Sequence, residues 1–224
     1  MNQLGLPFAL DSKMLLGCFV GEKNQQIVKY INQLFEGDTS AVAYIYGDKS
    51  SGKTHLLQGV TLEALERGKQ AAYIDFKQTL PQGIFSTLEN FDWLCLDNIS
   101  CLNESQQTEL FDLYNRTKHN KVKLIVSDLN PPNALNLLKD LCTRLSQSTV
   151  FSLEHLSDLD KKNILKGKMA ERNININDSV YEYLIKYCSR DLTLLLSTIN
   201  QLDQTSLELK KPITVAFIKK ILKI

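Results

Sequence analysis

The sequence predicts an α/β fold, a parallel five-stranded sheet covered by helices on both faces, followed by a small all-helical subdomain. Three observations carry this expectation. Short apolar runs alternate with helical periodicity from residue 41 to about 153, as strands do when they are buried on both faces and joined by helical crossovers. Between the first run and the first long helix stands Gly47-Asp48-Lys49-Ser50-Ser51-Gly52-Lys53-Thr54, which matches GxxxxGK[ST] in full and in the required strand–loop–helix setting. After Ser157, helical patterns follow one another with no strand between them.

Each element has its own signal. Residues 1–10, MNQLGLPFAL, carry Gly5 and Pro7 and no helical pattern, so an extended tail is expected. From Asn24 to Phe35, Ile27, Ile31, Leu34 and Phe35 share one helical face, and Glu36-Gly37-Asp38 ends it. Ala41–Tyr46 is rich in strand formers and stops at Gly47-Asp48. Thr54–Arg67 has helical periodicity, with Gly68 as its C-cap. The further strands are Ala71–Asp75, Trp93–Leu96 ending at Asp97, Val122–Ser127 and Thr149–Leu153, and Ser105–Lys118 is a helix between two of them. The carboxy-terminal helices are Asp158–Arg172, Asp178–Cys188, Asp191–Leu207 and Thr214–Leu222, jointed at 173–177 and 210–212. The expected division is a tail at 1–10, an α/β nucleotide-binding domain at 11–155 and a helical subdomain at 156–224.

Composition narrows the function. Of 224 residues, 43% are apolar and 23% charged, the mix of a soluble globular chain. A net charge of +1 supplies no basic field for binding nucleic acid unaided. Cys18, Cys95, Cys101, Cys142 and Cys188 have no CxxC spacing, which argues against a disulfide framework or a zinc site, and Cys95 and Cys188 sit in apolar runs as core residues. Neither a secretory leader nor a long apolar span is evident, so the expected setting is the reducing cytoplasm, with no membrane partner.

The loop carries the chemistry. Its glycines let the backbone turn successive N–H groups toward phosphate oxygens, and the following helix adds the positive end of its dipole. Lys53 reaches the β- and γ-phosphates, and the Thr54 hydroxyl ligates magnesium. Gly47, Ser50, Ser51, Gly52, Lys53, Thr54 and His55 are therefore candidate nucleotide contacts, with ADP or ATP and Mg2+ as the cofactors. Asp97, at the end of an apolar strand, is placed to hold that magnesium through water. The absence of an Asn-Lys-x-Asp sequence argues against GTP.

Further stretches point to a family. They are Cys18-Phe19-Val20-Gly21-Glu22-Lys23-Asn24, Leu96-Asp97-Asn98-Ile99, Phe111-Asp112-Leu113-Tyr114-Asn115-Arg116, Val126-Ser127-Asp128 and Leu141-Cys142-Thr143-Arg144-Leu145-Ser146. With the loop, they resemble the AAA+ domain of the bacterial initiator DnaA, and still more the short DnaA-related regulatory inactivators, over nearly the whole chain. The resemblance implies that Phe19, Val20 and Asn24 lie at the adenine. It makes Ser127 a γ-phosphate sensor, though a simple strand-to-loop cap would look the same in sequence. It makes Arg144 an arginine finger acting on a neighbouring subunit's nucleotide.

Two departures bear on turnover. Hydrolytic AAA+ proteins usually place an acid after the strand-end aspartate to activate water, and this chain has Asn98, which cannot act as a base. In the helical lid, Asp191-Leu192-Thr193-Leu194-Leu195 aligns where the family has a sensor arginine, and Thr193 stands there with Arg190 three residues earlier. Either Arg190 supplies the charge or the lid holds the nucleotide less tightly. Both departures imply slow intrinsic turnover.

Gln3-Leu4-Gly5-Leu6-Pro7-Phe8 is similar to the peptide by which replication proteins bind the bacterial sliding clamp. Gln3 offers an amide, Leu4, Leu6 and Phe8 are apolar, and Pro7 keeps the segment extended. The resemblance thus implies a regulator of chromosome replication initiation. Its partners would be DnaA and the DNA polymerase III β sliding clamp, with DNA reached only through the clamp. In a nucleotide-bound form, ADP by resemblance, it would stimulate hydrolysis of DnaA-bound ATP and prevent re-initiation. A self-sufficient AAA+ ATPase, a helicase loader or motor, is the alternative, and a small P-loop kinase is disfavoured by the helical subdomain. No helix-turn-helix domain is expected after Ile224, and Lys219, Lys220 and Lys223 are expected on a solvated helix face. A homodimer or higher homo-oligomer stays open.

Overall fold

A computed structural model describes residues 10–12, 14–19, 24–81, 83–88, 90–117, 120–189 and 192–222, and the statements below concern these. The chain divides into two compact units, one comprising residues 10–19 and 24–155 and the other 156–222 among the described residues.

The first unit contains helix α1 (Gln25–Glu36), strand β1 (Ala41–Tyr46), helix α2 (Lys53–Glu66), strands β2 (Ala71–Asp75) and β3 (Trp93–Asp97), helix α3 (Glu104–Thr117), strand β4 (Lys123–Asp128), helix α4 (Lys139–Ser146) and strand β5 (Thr149–Ser152). The strands form one sheet in the order β2-β3-β4-β1-β5, and every neighbouring pair is parallel. The register sets Tyr46 beside Asp128 and Asp75 beside Asp97, so the carboxyl ends of the strands gather polar groups along one rim. In open parallel sheets that rim is where ligands bind.

Burial on both faces explains the continuous apolar runs. In β3, Leu94 and Leu96 join one core layer with Tyr44, Ile74, Leu110, Leu124 and Val126. Trp93 and Cys95 face the opposite layer with Ile31, Ile45, Leu57, Tyr73 and Ile125. The period-two alternation of a strand thus splits one hydrophobic segment between two cores. Burial pushes the Cys95 thiol up to about 12, consistent with an inert core residue. Phe35 of α1 stacks on Trp93 at 4.1 Å between ring centroids, and the Arg67 guanidinium lies 4.4 Å over the Phe35 ring.

Some boundaries differ from the sequence expectation. Helix α2 opens at Lys53, because Gly52 itself takes the cap position. Strand β4 runs one residue later than expected, with the Lys123 stem buried and its ammonium 5.9 Å from the Trp93 ring. Helix α4 is only eight residues long and buries Leu141 and Leu145, too short a pattern to stand out. Turns of 3-10 helix at Leu16–Cys18, Ile84–Leu88, Ile99–Cys101 and Pro132–Ala134 also left no periodic signal.

The second unit contains helices α5 (Asp158–Ala170), α6 (Asp178–Tyr187), α7 (Leu192–Leu209) and α8 (Val215–Leu222). Ser157 caps α5 in a reciprocal box with Asp160, and Asn177 caps α6 through the Ser179 N–H. The helices close on Leu165, Met169, Val180, Leu184, Leu195, Ile199, Leu202 and Ile218. Arg172 pairs with Asp203 at 2.9 Å across this bundle. Lys219 and Lys220 are exposed, while Phe217 and Ile218 of the same helix are buried. No helix among the described residues is long and apolar enough to cross a membrane.

One glycine determines how the amino-terminal segment meets α2. A Cβ on Gly59 would lie 2.8 Å from the Leu16 N and 2.9 Å from the Met14 O, both backbone atoms that cannot rotate away. Gly59→Ala is expected to lower stability by about 1–3 kcal/mol despite alanine's better helix propensity. Urea denaturation checks this, and an unchanged or raised midpoint would contradict the close packing.

Candidate functional site

Strand β1 delivers the chain to Gly47, and α2 departs at Lys53. A Cβ on Gly47 would stand 2.5 Å from the Leu153 O. Gly52 lies in the left-handed region at φ 100°, and a Cβ there would meet Phe19 Cε2 at 3.0 Å. Ser50 is also left-handed, at φ 64°. The loop is therefore a tight curl that begins between β1 and the exit of β5 and ends under the Phe19 ring.

Lys53 is only 7% exposed. Its ammonium donates to the Gly47 O at 2.7 Å, the Asp48 O at 2.8 Å and the Ser51 Oγ at 3.4 Å, so it is held over the loop. Burial lowers the Lys53 pKa, while the carboxylates of Asp97 and Asp128 act in the opposite direction. A buried cation among backbone dipoles in a loop of this shape suits a polyanionic ligand.

Asp97 is 1% exposed and ends β3. Its Oδ2 accepts from the Thr54 hydroxyl at 2.6 Å and from the Tyr73 hydroxyl at 3.1 Å, and its Oδ1 accepts from the Ser127 hydroxyl at 2.5 Å. Three elements thus meet on one carboxylate. Asn98 follows in the left-handed region at φ 60°, and its side-chain amide donates to Asp75 Oδ1 at 2.7 Å. Asp128, also 1% exposed, accepts from the N–H groups of Ser100 at 2.6 Å and Leu129 at 2.7 Å. Among the described residues no cluster of His, Cys, Asp and Glu forms a metal cage. The donor set of exposed Thr54 and buried Asp97 is all oxygen, which fits a magnesium ion that keeps most of its waters and borrows phosphate ligands.

The remaining candidates fall in several places. Phe19 meets His55 edge-on, with ring centroids 5.8 Å apart, and the His55 ring donates to the Leu15 O at 3.0 Å. Asn24, 4% exposed, donates to the Glu154 O at 3.3 Å and accepts from the Glu154 N–H at 3.1 Å. Next to it, the His155 ring donates to Asp48 Oδ2 at 2.8 Å. Arg144 is half-buried on α4, which Tyr114 ties down by donating to the Arg144 O at 3.1 Å. Thr193 lies in the first turn of α7. Val20, Arg190 and the tail residues Gln3, Leu4, Leu6, Pro7 and Phe8 lie outside the described residues.

Tyr73 was not among the sequence candidates. Its place in an apolar strand marks it as core, and only a tyrosine's habit of finding a partner for a buried hydroxyl gave any signal.

Residues 10–151 match the family described as the bacterial DnaA ATPase domain, and residues 158–222 match the lid domain of Hda. Among solved structures, domain III of the replication initiation protein DnaA from Thermotoga maritima aligns with a TM-score of 0.82 at 20% identity, over 96% of this chain and 98% of that one. A replication initiator DnaA bound to AMPPCP and single-stranded DNA aligns with a TM-score of 0.76 at 24% identity, over 88% of this chain and 66% of that one. The Thermotoga maritima RuvB Holliday junction branch migration motor aligns with a TM-score of 0.73 at 17% identity, over 94% and 71%. At these identities the structural likeness establishes the AAA+ fold.

The paired bonds between Asn24 and the Glu154 backbone give Asn24 a structural task independent of any ligand. Asn24→Ala leaves two backbone groups of Glu154 without these partners and is expected to cost about 1–3 kcal/mol. A chemical denaturation curve without nucleotide measures it, and an unshifted midpoint would remove that task.

Proposed function

Because the chain belongs to the bacterial DnaA ATPase-domain family and its lid belongs to the Hda type, we propose that it is a nucleotide-holding regulator of replication initiation that acts on ATP-loaded DnaA. The observation that carries this reading is Asn98. The residue after the strand-end carboxylate is an amide that donates to Asp75, and an amide cannot take a proton from water. The same fold thus keeps its means of holding phosphates without a base at that position.

In this reading, the loop N–H groups and Lys53 bind the phosphates of ADP or ATP. Thr54 and, through water, Asp97 hold Mg2+, which neutralises phosphate charge. Phe19 and Val20 would cover the base, with Asn24 beside them. Ser127, which donates to Asp97 Oδ1, would report on the terminal phosphate through that carboxylate. Either Arg190 would supply the charge expected where Thr193 stands, or the lid would hold the nucleotide less tightly. A DnaA relative bound to AMPPCP supports an adenine nucleotide.

Arg144 is the group that acts on the partner. It is half-buried on α4, and in this reading its guanidinium reaches the DnaA-bound nucleotide. There it would stabilise the charge that develops on the transferring phosphoryl group. The tail, through Gln3, Leu4, Leu6, Pro7 and Phe8, would bind the DNA-loaded sliding clamp and confine the activity to replication under way.

The test is hydrolysis of DnaA-bound ATP in the presence of clamp loaded on DNA. Wild type is expected to accelerate it, Arg144→Ala to lose about 100-fold or more of the acceleration, and Gln3→Ala to lose the dependence on clamp. Brisk ATP hydrolysis by this chain alone, with no effect on DnaA, would instead favour a self-sufficient ATPase. Separately, Lys53→Ala is expected to weaken ADP binding by at least about tenfold in a calorimetric titration, and unchanged binding would remove the loop from the site.

A further inference from the structure

The carboxylate of Asp97 has more partners than a water-bridged metal ligand requires. Thr54 belongs to the phosphate loop and Ser127 to the adjacent strand, so both are expected near the nucleotide. Tyr73 is not. It lies in β2, the strand at the sheet edge, and faces Cys95 in the register rather than Asp97. Its ring runs through the apolar layer on the α2 side, and its hydroxyl emerges at Asp97 Oδ2, the same oxygen that Thr54 holds. Asp97 is 1% and Tyr73 6% exposed, so water has little access with which to replace the bond.

A phenylalanine would fill the apolar part of this site equally well. What the hydroxyl adds is a fixed direction for Oδ2 that does not come from the loop. Loss of a group that orients a metal ligand from behind typically costs about 10–100-fold in metal affinity. We propose that Tyr73 is a positioning residue for Asp97 that sets how strongly Mg2+ tightens nucleotide binding. This rests on the nucleotide-binding reading above.

The experiment is calorimetric titration of the full chain with ADP, once in MgCl2 and once in EDTA. For wild type, tighter binding in MgCl2 supports the site itself, and no binding or no difference between the two buffers would overturn that reading and this one with it. For Tyr73→Phe, the expected result is a roughly tenfold loss of affinity in MgCl2, with the affinity in EDTA unchanged. Equal losses in both buffers would mean that Tyr73 only supports the fold, and no loss in either would mean that Thr54 and Ser127 suffice; both results overturn the proposal. Tyr73→Leu, which also lacks the hydroxyl, is expected to show the same selective loss, so the outcome does not depend on how one substituted side chain packs.

Discussion

A carboxylate taken almost wholly out of water must find hydrogen-bond donors inside the protein, since an unpartnered buried charge is among the costliest features a fold can carry. For Asp97 the donors are the hydroxyls of Thr54, Tyr73 and Ser127. They come from the first turn of α2, from β2 and from β4, three elements far apart in sequence. Satisfying one buried anion therefore fixes the phosphate loop, the sheet edge and the strand beside β1 relative to one another. The donors are neutral, so the negative charge persists at the rim and is available to a cation.

The loop is held on its other flank by the backbone that leaves β5. Leu153 donates to the Tyr46 O at 2.7 Å, Glu154 exchanges two bonds with Asn24, and His155 reaches Asp48. Within the first unit, residues 153–155 thus form a collar around the start of the loop, and the absence of a Cβ on Gly47 is what lets the collar close. Phe19 presses on the other end at Gly52. Rigid surroundings of this kind hold backbone N–H groups in place before any ligand arrives, which is where preorganised binding gains its advantage.

What the sequence made legible follows from how each feature is encoded. The phosphate loop is contiguous, and its residue types are dictated by backbone geometry, so Gly47 through Thr54 could be recognised directly. The parallel sheet was legible because strands buried on both faces are apolar along their length, as Trp93–Leu96 is before the strand ends at Asp97. The link from Tyr73 to Asp97 was not legible, because it depends on which strand lies beside which, and no spacing along the chain states that. Ser127 reads equally as a sensor or as a strand cap in the sequence, and its bond to Asp97 Oδ1 could not be read there at all. Helix α4 escaped notice because two buried leucines over eight residues are too few to define a period. Asn24 carries a second task that its motif did not state, since the fold engages both ends of its side-chain amide with the Glu154 backbone.

Asn98 shapes what this chain can become. Its left-handed backbone suits asparagine and aspartate and penalises longer side chains. An aspartate would fit the backbone, but its carboxylate would replace an amide that now donates to Asp75 at 2.7 Å, setting two like charges in contact. A glutamate would avoid the shortest of that repulsion only by accepting backbone strain. Neither acid can replace Asn98 without a penalty, and a compensating change at Asp75 is what would relieve the charge repulsion. At this corner a base at position 98 and the bond to Asp75 exclude one another, so any acid placed there trades local stability for basicity.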